Sequence, residues 1–135
     1  MMRTIKRVLL LTIVAVFIFG LNSSISQPKW VNLGSRTVDW GADFDVIPVT
    51  GAKGSFKSIK LFVDKAPVEF VDLKVHFAKG AVQDIKIRKR IPKGGETRVI
   101  DLAGKNRIMQ KVTFWYKTSK PAPRGKAIVT LYGIK

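Results

Sequence analysis

The chain contains no cysteine. That excludes a disulfide framework, thiol nucleophiles and cysteine-based zinc sites. It also excludes the lipid-modified kind of export signal, whose anchor is attached through a cysteine thiol. Histidine occurs once, at His76. Serine-type hydrolysis needs a serine, an imidazole and an orienting carboxylate brought together. No Gly-x-Ser-x-Gly nucleophile elbow accompanies this lone imidazole, and His76 reads as a surface residue without a catalytic task. Acidic residues are scarce as well, 9 against 25 lysines and arginines, for a net charge of +16. No RNA-binding aromatic signature and no helix-turn-helix pattern is present, so specific nucleic-acid recognition is not expected.

Long apolar runs are confined to the start of the chain. Arg3, Lys6 and Arg7 form a cationic lead, residues 8–21 are almost entirely apolar, and residues 22–27 are polar. This is the pattern of a secretory signal peptide. Small residues at Ser24 and Ser26 place the expected cleavage after Ser26. The apolar run is shorter than the roughly 20 residues a spanning helix requires, so no integral membrane span is expected after cleavage. The expected organisation is a signal peptide over 1–26 and one domain over 27–135. Three cations leave with the leader, and the domain then carries 22 basic against 9 acidic residues, net +13. A field of that sign draws polyanions. Outside the cytoplasm these are lipid head groups, acidic glycans and envelope phosphates.

The rest of the chain is built from short alternating or β-branched runs, broken by Gly, Pro, Asn and Asp about every ten residues. The spacing predicts strands over 30–33, 37–40, 44–49, 56–63, 68–77, 82–88, 98–102, 107–117 and 127–134. Eight or nine strands of this kind predict an all-β fold, a single antiparallel β-sandwich of jelly-roll type. Within 107–117, alternation places Ile108, Val112, Phe114 and Tyr116 on one face and Met109, Lys111, Thr113, Trp115 and Lys117 on the other. Within 68–77, Val71, Leu73, Val75 and Phe77 are expected inside.

Four groupings of side chains could carry function. Lys86, Arg88 and Arg90 recur with period two, which spaces three cations about 7 Å apart along one side of a strand. Such spacing can track an anionic polymer. Trp115 between Lys111 and Lys117, and Phe62 beside Lys60, add aromatic platforms for a sugar or a base. Asp39, Asp43 and Asp45 gather carboxylate oxygens as calcium requires, but their spacing matches no defined calcium loop. Pairing with nearby cations or turn formation is the preferred reading of these three, and no metal or cofactor is expected. A glycosidase pair made of Asp43 and Asp45 lacks a marked proton donor.

Several stretches resemble a family of short, signal-bearing bacterial proteins: Trp30-Val-Asn-Leu-Gly-Ser-Arg-Thr-Val, Asp43-Phe-Asp-Val-Ile-Pro-Val, Gly54-Ser-Phe-Lys-Ser-Ile-Lys-Leu, and above all Gly94-Gly-Glu-Thr-Arg-Val-Ile-Asp-Leu. The family is a domain of unknown function. The resemblance implies a small, β-rich secreted or periplasmic domain and supplies no catalytic residues. Arg36, Asp43, Arg98, Asp101 and Arg107 fall at strand ends, where Arg–Asp pairs are expected to fasten one sheet to the other. The functional expectation is an exported, non-enzymatic sandwich that binds an anionic envelope component through Lys86, Arg88, Arg90, Lys111, Trp115 and Lys117. The alternative is a structural or protein–protein interaction domain of the envelope with no polyanion ligand.

Overall fold

The computed structural model describes residues 29–38, 44–117 and 126–135. The expected signal peptide, Asp39 and Asp43 lie outside these residues. Nine strands follow in order: β1 (Val31–Thr37), β2 (Phe44–Pro48), β3 (Ser55–Phe56), β4 (Ser58–Asp64), β5 (Val68–Phe77), β6 (Val82–Ile91), β7 (Ile100–Asp101), β8 (Arg107–Lys117) and β9 (Ile128–Ile134). One sheet has the order β1-β9-β4-β7; the other has β2-β8-β5-β6, with β3 also paired to β8. All pairings are antiparallel. This double-sheet order is that of a jelly roll. Among the described residues no helix is long and apolar enough to cross a membrane.

The core forms because each strand turns one apolar row inward. Ile59, Leu61 and Val63 of β4 lie opposite Gly133, Leu131 and Val129 of β9, and all of these are buried. From the other sheet come Phe70, Leu73 and Val75 of β5 and Val112 and Phe114 of β8. Phe70 and Phe114 meet edge to face, with ring centroids 5.9 Å apart.

Departures from the expected strands have local causes. The strand expected over 56–63 divides at Lys57. Phe56 pairs with Arg107 in one sheet, while Ser58 pairs with Ile134 in the other. The chain therefore changes layers there. The Lys57 N–H donates to the Ile134 carbonyl at 2.8 Å, and the Lys57 carbonyl accepts from Leu102 at 2.7 Å. Conversely, β1 passes through the expected break at Gly34-Ser35, absorbing it as a register shift between Asn32 and Gly34.

Bulges invert two of the expected faces. A register shift between β5 and β8 at His76/Phe77 inserts one extra residue into β8, so Met109 is buried and Ile108 is exposed. Another, at Phe70/Asp72, puts Phe70 inside and leaves Val71 half-buried. A bulge reverses the parity of everything beyond it, which simple alternation cannot foresee.

The expected Arg–Asp clamps do not form among the described residues. Instead the guanidinium groups cap carbonyls: Arg98 donates to Lys86 at 3.1 Å, Arg107 to Ala103 at 2.9 Å and Arg36 to Ser35 at 3.1 Å. The carboxylate of Asp101 is occupied by the Ser58 hydroxyl at 2.7 Å. Edge strands leave carbonyls without a ladder partner, and a long cationic side chain can reach them. Gln83 of β6 adds a two-way link between the sheets: its amide donates to the Asp101 carbonyl at 3.1 Å and accepts from Ala103 N–H at 2.8 Å.

Thr97 zips the same edge. Its buried hydroxyl accepts from Leu61 N–H at 3.0 Å and donates to the Arg98 carbonyl at 3.0 Å. Thr97→Val keeps the shape but leaves the Leu61 N–H unpaired in the interior, which costs about 1–3 kcal/mol. Thermal melting should show a fall on the order of 4 °C or more per kcal/mol, and Thr97→Ser should restore most of it. An unchanged melting temperature in Thr97→Val would remove the hydroxyl from the account.

Candidate binding face

The outer surface of the β2-β8-β5-β6 sheet is set by register. Paired residues in an antiparallel sheet share a face, so the pairs can be read across as rows. Phe44, Trp115, Asp72 and Lys86 form one row. Val46, Thr113, Lys74 and Asp84 form the next, and Pro48, Lys111, His76 and Val82 the third. Towards the other end, Lys117, Glu69 and Arg90 align. Lys86, Arg90, Lys111, Trp115 and Lys117 thus stand on one surface, although they come from two strands that are not neighbours.

Arg88 is the exception among the sequence-predicted site residues. It is exposed, with φ +44°, and lies in the stretch where the β5–β6 register shifts, so it has no cross-strand partner. A left-handed arginine is unusual and marks the bulge itself.

Trp115 is half-buried at the centre of this surface. Phe44, 51% exposed, leans against it with ring centroids 5.9 Å apart. Lys74 places its ammonium 5.4 Å from the indole centroid, a cation–π contact. Neither Phe44 nor Lys74 was singled out from the sequence. The signal for Lys74 was its period-two spacing with Asp72 and His76, which puts all three outside.

Three carboxylates, Glu69, Asp72 and Asp84, interleave with the cations. Burial and a hydrogen bond with Asp84, together with that neighbour's charge, raise the Asp72 carboxyl above its ordinary 3.8; the Leu73 N–H and Lys86 pull the other way. His76 is pushed below its ordinary 6.5 by burial first, then by the positive charges of Lys111 and Lys74. Burial is the larger cause, and the two lysines add to it because a second positive charge beside them is disfavoured.

Of the acidic trio Asp39, Asp43 and Asp45, only Asp45 is described. Its carboxylate accepts the Tyr116 hydroxyl at 2.8 Å, a structural task. Among the described residues no group of three or more His, Asp or Glu could hold a metal ion. Gly94-Gly95 turns back onto β4 and leads to a bridge at Glu96, then to β7, so it belongs to the sheet edge.

Strand order and surface chemistry together define the class, a small jelly-roll β-sandwich with one cation-rich, aromatic-centred sheet face. The chain belongs to the family described as domain of unknown function DUF2541, whose model matches residues 9–133. It is also similar in structure to Pseudomonas aeruginosa AlgX, known from a structural and functional characterisation, with a TM-score of 0.52 and 14% sequence identity. That likeness covers 79% of this chain and 26% of AlgX, so the chain spans about a quarter of that protein, and what the two share is the fold. The comparison with curated proteins gives no match.

Proposed function

We propose that the protein is an exported, non-enzymatic module that binds an anionic polymer or head-group surface of the cell envelope through the outer face of its β2-β8-β5-β6 sheet. The observation that carries this reading is the register: Lys74, Lys86, Arg90, Lys111 and Lys117 surround Trp115 on one face. The sheet fixes the points from which these cations project, so a chain of negative charges can meet several of them at once. Trp115, half-open beside Phe44, offers a flat surface to a sugar ring or an acyl group between the charges.

The test is retention on immobilised heparin and on polyphosphate at about 50 mM salt, and its loss at a few hundred millimolar. Absence of retention at low salt ends the proposal and leaves an interaction domain without a polyanion ligand. A second readout lies inside the face. Polyanion binding brings negative charge to His76 and should raise its titration midpoint, followed through the imidazole proton resonances. By linkage, affinity should then grow as pH falls through that midpoint. In the free protein the sign is opposite. The unfolded chain takes up the proton first, so stability falls as pH drops from 6.5 through the lower folded value.

A further inference from the structure

On the opposite sheet, five side chains line a shallow, open cleft of about 150 Å³: Trp30, Lys60, Phe62, Glu96 and Tyr132. They come from four places in the chain. Trp30 precedes β1, Lys60 and Phe62 alternate on β4, Tyr132 is paired with Lys60 from β9, and Glu96 is bridged to Phe62. A turn after β6 delivers Glu96: Gly95 N–H bonds the Pro92 carbonyl at 2.9 Å, and Gly94 takes a left-handed φ of +81° that a side chain would strain. The most distinctive run of the sequence therefore has a local purpose, to lay a carboxylate over β4.

Lys60 is the hub. Its ammonium is 2.8 Å from a Glu96 carboxylate oxygen and 4.4 Å from the centre of the Trp30 ring. The Lys60 side chain is 17% exposed, that of Glu96 46%. An ammonium has three donors and a carboxylate about four acceptor sites, so both groups keep hydrogen-bonding capacity after pairing. The cleft thus presents donor and acceptor side by side, no net charge, and aromatic walls.

We infer that this cleft is a binding site for one ring of a neutral glycan. Vicinal hydroxyls each donate and accept, and so match the Lys60–Glu96 pair; the C–H face of a pyranose matches the rings of Trp30, Phe62 and Tyr132. With Lys60 and Glu96 neutralising each other the cleft has no excess of cations to select an acidic ring, which separates this site from the cation-rich face on the other sheet. The inference goes beyond the polyanion reading and stands or falls without it.

The indole N–H resonance of Trp30, identified by its loss in Trp30→Phe, is the reporter. Neutral hexasaccharides of glucose (β-1,4 and α-1,4), mannose, galactose and N-acetylglucosamine are titrated to about 10 mM, which detects the millimolar affinity of a single-ring site. At least one should shift the Trp30 signal and leave that of Trp115 in place. The affinity should be the same at low and high salt, since no counterions are exchanged. Glu96→Gln, which preserves shape, and Trp30→Ala should each weaken binding about tenfold or more with melting curves confirming the fold. Silence of the Trp30 resonance with every neutral glycan overturns the inference. So does binding of undiminished strength in folded Glu96→Gln.

Discussion

Phe56→Ala is expected to destabilise the protein by about 3–5 kcal/mol, among the largest single-residue losses expected of a buried side chain. Phe56 is completely buried and occupies the point where the chain leaves one sheet for the other. Its ring packs closely against Gly133 of β9. A Cβ placed on Gly133 would come within 2.8 Å of a Phe56 ring carbon and 2.8 Å of a Leu33 methyl, closer than real side chains pack. The corner cannot collapse to fill the void, because Lys57 is tied by its N–H to Ile134 and by its carbonyl to Leu102. A domain of this size has about 5–15 kcal/mol in total, so the variant should be marginal at room temperature. Chemical denaturation should show a lowered midpoint with an unchanged slope. Gly133→Ala should cost about 1–3 kcal/mol by overpacking. In the Phe56→Ala background the same methyl enters the vacated space and should cost less than it does alone. Simple additivity of the two would contradict the contact from which both effects are argued.

The same corner shows what was legible in the sequence and what was not. Alternation is a local property, so Ile59, Leu61 and Val63 could be placed inside and Lys60 outside from the letters alone. The change of layer at Lys57 could not. It buries Ser58 and Ile59 in succession, and the Ser58 hydroxyl is satisfied there by a distant residue, Asp101, which the letters around Lys57 do not reveal. Bulges were hidden for a related reason. The apolar residues Ile108 and Met109 are adjacent, and which of them goes inside depends on the pairing of β8 with β5.

Candidate sites divided in the same way. Lys86 and Arg90, like Lys111, Trp115 and Lys117, show their spacing within one strand, but only cross-strand pairing sets the two groups on a common surface. That pairing also sets Glu69, Asp72 and Asp84 among them, a dilution of charge that composition conceals. Phe62 beside Lys60 was visible as a platform. Trp30, Glu96 and Tyr132 join it only through the topology.

Neutralising the cationic face, Lys86→Gln, Arg90→Gln, Lys111→Gln and Lys117→Gln together, should have the largest effect on binding. Glutamine is preferred to charge reversal because Lys86 stands opposite Asp72 and Arg90 opposite Glu69, where a new carboxylate would face an existing one. Asp72 already has a raised pKa, so another negative charge beside it would confuse a binding defect with a folding defect. Each phosphate neutralised contributes a salt slope somewhat below one on a strongly charged polymer, so four engaged cations imply a loss of about 10² in affinity between 50 and 200 mM salt. In the quadruple variant the slope should shrink towards that of Lys74 alone, and affinity for polyphosphate at low salt should fall by a similar factor. Lys53, at the end of a short 3-10 helix, and Lys65, Lys79 and Lys105, in the connections between strands, are exposed, and replacing these four by glutamine removes the same net charge from elsewhere. If the ligand responds to total charge, both quadruple variants lose affinity equally and the sheet face has no special part. If it responds to the arrangement around Trp115, only the first variant loses its salt slope, and only there does polyphosphate cease to move the His76 titration.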